Sequence, residues 1–84
     1  MKVENLKNVE RINEKLSYGE NEWRDIEVFE TETSEFVGFI HRDSTGFKLQ
    51  CNINYKGYAK KLATRCNFNT ALRLINAEYK KLTV

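Results

Sequence analysis

Hydrophobic and polar residues alternate strictly along residues 47–55, FKLQCNINY. One parity is apolar, from Phe47 to Tyr55, and the other carries lysine, glutamine and asparagine side chains. Strict alternation over this length is typical of a β-strand with one face on a hydrophobic core and the other turned outward. The sequence therefore predicts a strand whose outward face is made of cationic and amide groups.

The segments on either side predict the rest of an antiparallel meander. Residues 23–30 are rich in β-forming side chains, and residues 36–42, FVGFIHR, are an almost continuous apolar run of strand length. Residues 43–46, DSTG, have the composition of a hairpin loop. Residues 56–57, KG, suit a two-residue turn, after which residues 58–63 form a further short strand. We therefore expect three or four antiparallel strands with short connections.

Two segments show helical spacing. Residues 4–17 have apolar side chains three and four positions apart, which predicts an amphipathic helix. Residues 68–82, FNTALRLINAEYKKL, carry a longer apolar stripe, with Asn67 or Asn69 as the N-cap and two lysines near the end. The expected fold is an α+β domain over residues 1–84, with an N-terminal helix, the meander, and a C-terminal helix packed on the sheet.

The turn positions set the expected register of the meander. A loop at residues 43–46 pairs Arg42 with Phe47, turns Phe36 toward the core and turns Val37 outward. The two-residue turn that follows aligns the next pair of strands in the same way. The predicted outward face collects Phe39, His41, Lys48, Gln50, Asn52, Asn54 and Lys61, with Arg65 beyond its edge.

The charges divide sharply along the chain. Residues 1–43 carry six cations and eleven acids, whereas residues 44–84 carry eight cations and the single acid Glu78, so a formal net charge of +2 conceals halves of −5 and +7. A basic half of this kind can attract phosphates. Alternatively, the acidic segment 20–35 neutralises it internally.

Several functions are not expected from this composition. The N-terminal residues contain no apolar signal-peptide core, and no apolar run approaches the roughly 20 residues of a membrane span. Two cysteines are too few for a disulfide framework and suggest reduced thiols in a cytoplasmic protein. The single histidine and the spacing of Cys51 and Cys66 predict no catalytic residues, no metal site and no cofactor. At 84 residues the core is small, so a homodimer is possible.

The outward face predicts a nucleic-acid interface. Lysines neutralise phosphates, and glutamine and asparagine amides can pair with adenine edges in a major groove. We therefore assign phosphate contacts to Lys48, Lys61 and Arg65, and base contacts to Gln50, Asn52 and Asn54, with Phe39 and His41 beside them. An aromatic side chain exposed on this face could also stack on an unpaired base.

Residues 39–75, with their order of short turn, basic strand and helix, resemble the three-stranded sheet and helix of AP2-type and phage integrase arm-binding DNA-binding domains. In those domains the sheet lies in the major groove and its outward side chains contact bases. The resemblance implies this role for Lys48, Gln50, Asn52, Asn54 and Lys61, and it favours DNA over RNA as the partner.

A rival hypothesis is a protein-interaction module, such as an accessory or inhibitor protein of a phage or mobile element. Its interface would be the acidic segment 20–35. Tryptophan and phenylalanine are favoured anchors of protein interfaces when they are exposed. The interface residues on this hypothesis are Trp23, Asp25, Glu27 and Phe29.

Overall fold

The computed structural model describes residues 3–42 and 44–84. Within those residues a short 3-10 turn at Val3–Asn5 leads into six antiparallel strands, followed by one α-helix, α1, at Phe68–Leu82. The strands lie side by side in chain order, so each one pairs with its sequence neighbours. They are β1 (Lys7–Arg11), β2 (Leu16–Glu20), β3 (Ile26–Glu30), β4 (Phe36–Arg42), β5 (Leu49–Tyr55) and β6 (Tyr58–Cys66). No helix in this part of the chain is long and apolar enough to cross a membrane.

Helix α1 packs across β4, β5 and β6 and buries Ala71, Ile75 and Tyr79 against them. Its N-cap is Asn67, whose side-chain oxygen accepts a hydrogen bond from the backbone N–H of Thr70 at 2.8 Å. The predicted C-terminal helix is therefore confirmed. We call the sheet surface that contacts α1 the helix face and the opposite surface the outer face.

Gly38 in β4 allows the helix and the sheet to approach closely. A Cβ atom at this position would lie 3.3 Å from Cγ2 of Ile75 and 2.6 Å from the backbone oxygen of Asn52. This geometry places Gly38 on the helix face. Because side chains alternate along a strand, Ile40 shares that face, and Phe39 and His41 lie on the outer face.

The predicted N-terminal helix over residues 4–17 is wrong, and so is the prediction of three or four strands. Those residues form most of the 3-10 turn, all of β1 and the first two residues of β2, and the sheet has six strands within the described residues. The tight turn between β1 and β2 depends on Asn13. Its side-chain oxygen accepts hydrogen bonds from the backbone N–H groups of Lys15 at 2.8 Å and Leu16 at 3.0 Å. Asparagine bonds of this kind compete with helix formation.

The apolar residues with helical spacing are divided between the two faces of the sheet. Leu16 is fully buried in the core and Ile12 packs against that core. Leu6 and Val9 instead cover Gly19, where an added Cβ would lie 2.8 Å from Cβ of Leu6. A helix could not satisfy both sets of contacts. Apolar residues spaced three and four positions apart therefore belong here to two strands and a turn.

A β-bulge in β4 changes which side chains face the core. Val28 pairs with Gly38 but Phe29 pairs with Phe36, which leaves Val37 as an additional residue. Val37 is fully buried in the core, whereas Phe36 stacks on Phe39 at the outer face. The predictions that Phe36 faces the core and Val37 faces outward are therefore wrong.

The hairpin of β4 and β5 is longer than predicted. Arg42 pairs with Leu49, so the predicted pairing of Arg42 with Phe47 is wrong by two residues. Phe47 lies in the connecting loop and is 90% exposed. A shift of two residues leaves each remaining side chain of β5 on its predicted face.

The turn at residues 56–57 has the predicted geometry, and Asn54 pairs with Ala59 and Asn52 with Lys61. Gly57 has a positive φ of 90°, a conformation that glycine adopts without steric cost. Beyond Lys61 the strand contains two irregularities in register and continues to Cys66. The last strand is therefore longer than the predicted 58–63.

Glu30 links β3 to β5 and α1 on the helix face. Its carboxylate accepts hydrogen bonds from the hydroxyl groups of Tyr55, Tyr79 and Thr33. Desolvation by burial acts to raise the pKa of Glu30, but these hydrogen bonds and the charge of Lys56 outweigh it, so the net pKa is lowered.

We expect this carboxylate to make folding stability depend on pH. A depressed pKa in the folded state stabilises the protein above the ordinary carboxyl pKa of 4.5, and this contribution is lost as the pH falls through and below that value. Urea denaturation at pH 7, 5, 4 and 3 should therefore show a steeper acid loss for the native protein than for Glu30→Gln. Parallel curves for the two proteins would contradict the prediction, and Glu35→Gln, an exposed carboxylate, is the control.

Candidate functional site

The predicted site residues of β4, β5 and β6 come together on the outer face. Phe39 pairs with Asn52, and Asn52 pairs with Lys61, which forms one row across three strands. His41 pairs with Gln50 in the next row. Neighbouring strands lie about 4.8 Å apart, so each row is a continuous surface.

The outer face of β4 carries a line of three aromatic rings. Phe36 and Phe39 are stacked, with ring centroids 6.2 Å apart and an interplanar angle of 25°. The ring of His41 follows at 5.4 Å from that of Phe39. All three side chains are half-buried, so part of each ring remains accessible. Rings arranged in this way can stack against unpaired bases.

Two more predicted cations, Lys48 and Arg65, lie at the end of the sheet that carries the loop between β4 and β5. Lys48 and Arg65 are both exposed and precede Leu49 and Cys66, which pair with each other. Lys48 belongs to the loop and not to β5, which corrects its predicted position in the strand. At the opposite end of β5, Asn54 is exposed beside the turn to β6.

Phe47 is a candidate residue that the sequence pattern missed. It lies next to Lys48 and borders a surface concavity of about 430 Å³ that also includes Arg42, the N-cap Asn67 and Phe68 at the start of α1. The alternation of residues 47–55 assigned this ring to the core. The residues just before it are small and polar and predict a loop. This signal could have indicated that Phe47 lies outside the core.

Because the strands lie in chain order, the charge asymmetry of the sequence becomes an asymmetry of charge across the sheet. No acidic residue lies on β4, β5 or β6, whereas every described acid except Glu78 precedes β4. Within the described residues, the one side-chain ion pair joins Lys81 to Glu78 at 3.7 Å inside α1. The predicted internal neutralisation of the basic half by segment 20–35 therefore has no direct ion pair in this part of the chain.

The acidic end of the outer face has a separate concavity of about 380 Å³. Its lining is Asn21, Trp23, Asp25, Glu27, Phe36 and Phe39. Three of the four residues assigned to the alternative protein interface are thus gathered there. The fourth, Phe29, is buried, and Phe36 and Phe39 supply the aromatic surface in its place.

Asn21 holds this concavity in shape. It is buried, and its side-chain oxygen accepts hydrogen bonds from the backbone N–H groups of Trp23 at 2.9 Å and Asp25 at 3.0 Å. Its amide nitrogen donates to Glu27 Oε2 at 2.9 Å. One side chain therefore fixes both the turn between β2 and β3 and the carboxylate on β3.

The described residues contain no group of three or more histidine, cysteine or acidic side chains able to hold a metal ion. Cys51 is buried, and burial, with smaller contributions from the neighbouring Cys66, raises the pKa of its thiol to about 12. A thiol with such a high pKa is a poor nucleophile at neutral pH.

No protein-family model, curated protein or solved structure matches the chain. The fold and the two concavities define a small antiparallel meander with one C-terminal helix and two chemically different surfaces. The resemblance of residues 39–75 to three-stranded DNA-binding domains stays a prediction. Those residues contain most of β4, all of β5 and β6, and the first half of α1, in that order.

Proposed function

We propose that this protein is a non-catalytic nucleic-acid-binding domain, and that nucleic acid lies on the outer face of β4, β5 and β6. The observation that carries the proposal is the absence of acids from these three strands, next to cations that, within the described residues, form no ion pair with the acidic strands. A solvated sheet face ordinarily mixes both signs of charge. Here the phosphate backbone meets no repelling carboxylate on the strands that it follows.

The side chains of this surface have different roles, which follow from their chemistry. The cations at the ends and edge of the surface, Lys48, Lys61 and Arg65, contact phosphates. The amides between them, Gln50, Asn52 and Asn54, contact base edges. Phe39 and His41 lie beside the amides and offer ring surface to bases. The resemblance of residues 39–75 makes DNA the favoured target over RNA.

The decisive measurement is fluorescence anisotropy of labelled duplex DNA, single-stranded DNA and RNA, titrated with the protein at two salt concentrations. The three assigned cations neutralise about three phosphates. Affinity should then fall by about 20- to 40-fold between 50 and 200 mM salt. The absence of binding to all three probes at the lower salt concentration would refute the proposal.

We place the protein in the cytoplasm as part of the same proposal. Both cysteines are free thiols, which suits a reducing compartment, and nucleic acid is accessible there.

A further inference from the structure

The concavity at the acidic end combines two features that attract the same kind of ligand. Trp23, Phe36 and Phe39 contribute aromatic surface, and Asp25 and Glu27 contribute carboxylates. The faces of aromatic rings attract cations, and tryptophan does so most strongly. Carboxylates add direct charge attraction and accept hydrogen bonds from a guanidinium group.

The exposure of Trp23 has no explanation in the packing of the protein. Its side chain is 66% exposed, although the ring is large and apolar and lies within an ordered, hydrogen-bonded turn. The backbone N–H of Arg24 donates to the carbonyl of Asn21 at 3.0 Å, and the N–H of Asn21 donates to the carbonyl of Asp25 at 2.9 Å. The tryptophan therefore stands on a rigid support, which reduces the entropy lost on binding.

The charge around the concavity determines which partner fits. Glu20 and Glu22 flank it in sequence, and Arg24 is the one cation in the turn. Arg24 makes no ion pair within the part of the chain that the structure describes. Glu27 is 8% exposed, and the hydrogen bond recorded for its carboxylate comes from the neutral amide of Asn21. Among the described residues, neither Asp25 nor Glu27 forms an ion pair, so the site retains negative charge.

We propose that this concavity binds an arginine side chain of a basic segment in a partner protein, with the guanidinium between the aromatic rings and the carboxylates of Asp25 and Glu27. Arginine fits better than lysine because its planar group both stacks on rings and forms paired hydrogen bonds with carboxylates. This function is separate from nucleic-acid binding, since its carboxylates and Trp23 lie on or before β3 and the phosphate contacts lie on the far side of β4. Phe39 is the boundary residue between the two surfaces.

Trp23 is the sole tryptophan of the chain, so its fluorescence reports directly on this site. Titration with hexaarginine should change its emission in a saturable manner, and hexalysine should bind at least three-fold more weakly. In the variant Asp25→Asn with Glu27→Gln, the affinity for hexaarginine should fall at least ten-fold. Glutamine retains an oxygen that can accept the Asn21 hydrogen bond, so the turn is preserved.

The matched control is Glu32→Gln with Glu35→Gln, which removes the same charge from exposed positions outside the concavity. It should lower the affinity less than two-fold. An equal loss in both double variants would show general charge attraction and overturn the proposal, as would an unchanged tryptophan emission. If the double variant in the concavity unfolds, Asp25→Asn alone provides the test, with an expected loss of at least three-fold.

Two further outcomes distinguish this proposal from nucleic-acid binding and from self-association of the chain. Nucleic-acid affinity in Asp25→Asn with Glu27→Gln should differ from that of the native protein by less than about five-fold, because the two carboxylates make no contact with phosphates and long-range attraction is screened. A change in the emission of the native protein on concentration alone, without peptide, would identify a second copy of the chain as the occupant and overturn the assignment to a partner protein.

Discussion

Replacing Ile75 by alanine should lower the free energy of unfolding by about 2–5 kcal/mol, the usual range when a fully buried isoleucine is truncated. Ile75 is 0% exposed and lies in the middle of α1. Its side chain approaches Gly38 on β4, where the glycine leaves no atom that could move to fill the cavity. Since small domains have a total stability of about 5–15 kcal/mol, this loss would be a large fraction of the whole.

Urea denaturation followed by circular dichroism measures the effect directly. Leu82→Ala is the matched control because it removes the same number of carbon atoms from the same helix at a position that is 36% exposed. We expect the control to lose less than about 1 kcal/mol. Equal losses for the two variants would contradict the prediction, because they would show that the contact of Ile75 with the sheet does not determine the cost.

Local signals in the sequence were sufficient to predict β4, α1 and the turn between β5 and β6. The apolar stripe predicted α1 with its observed bounds, Asn67 is one of the two predicted N-caps, and the run FVGFIHR predicted β4. Lys56 and Gly57 identified the turn between β5 and β6. In each case the signal lies within a few consecutive residues and no distant contact competes with it.

The first two strands could not be predicted in this way, because their apolar residues pack on opposite faces of the sheet. Leu6 packs on Gly19 and Leu16 packs in the core, contacts that depend on how β1 and β2 fold back on each other. The hydrogen bonds that the side-chain oxygen of Asn13 accepts in this turn leave no periodic pattern in the sequence. A spacing of three and four residues is therefore compatible with both a helix and this hairpin.

Gln50 and Asn52 lie on the predicted outer face because the error in the register of β4 with β5 was an even number of residues. Arg42 pairs two residues later than predicted, so Gln50 and Asn52 still lie beside His41 and Phe39 on the outer face. The odd displacement at Val37 had the opposite result and moved Phe36 from the predicted core to this face. The concavity around Trp23 depends on that bulge, which the sequence pattern does not indicate.

Reversing two charges on the nucleic-acid surface should abolish binding. Lys48 and Lys61 are exposed and form no ion pair within the part of the chain that the structure describes, so replacing both by glutamate leaves no partner unpaired in the fold. Each replacement removes one phosphate contact and adds a repelling carboxylate. We expect the affinity for DNA to fall by more than about 100-fold at low salt, because two neutralised phosphates are lost and two repulsions are added.

A second reversal distinguishes local contacts from net charge. Lys7→Glu with Lys15→Glu changes the formal net charge by the same amount, from +2 to −2, but at exposed positions on or beside β1 and β2, in the acidic half. Binding by contact predicts a loss of less than about five-fold in this variant, since long-range attraction is screened within about 10 Å at 0.1 M salt. Similar losses in both variants would mean that nucleic acid senses only the overall charge, and the assignment of the outer face of β4, β5 and β6 would then be wrong. The tryptophan response to hexaarginine should persist in the Lys48 and Lys61 variant, because that ligand binds at the opposite end of the sheet.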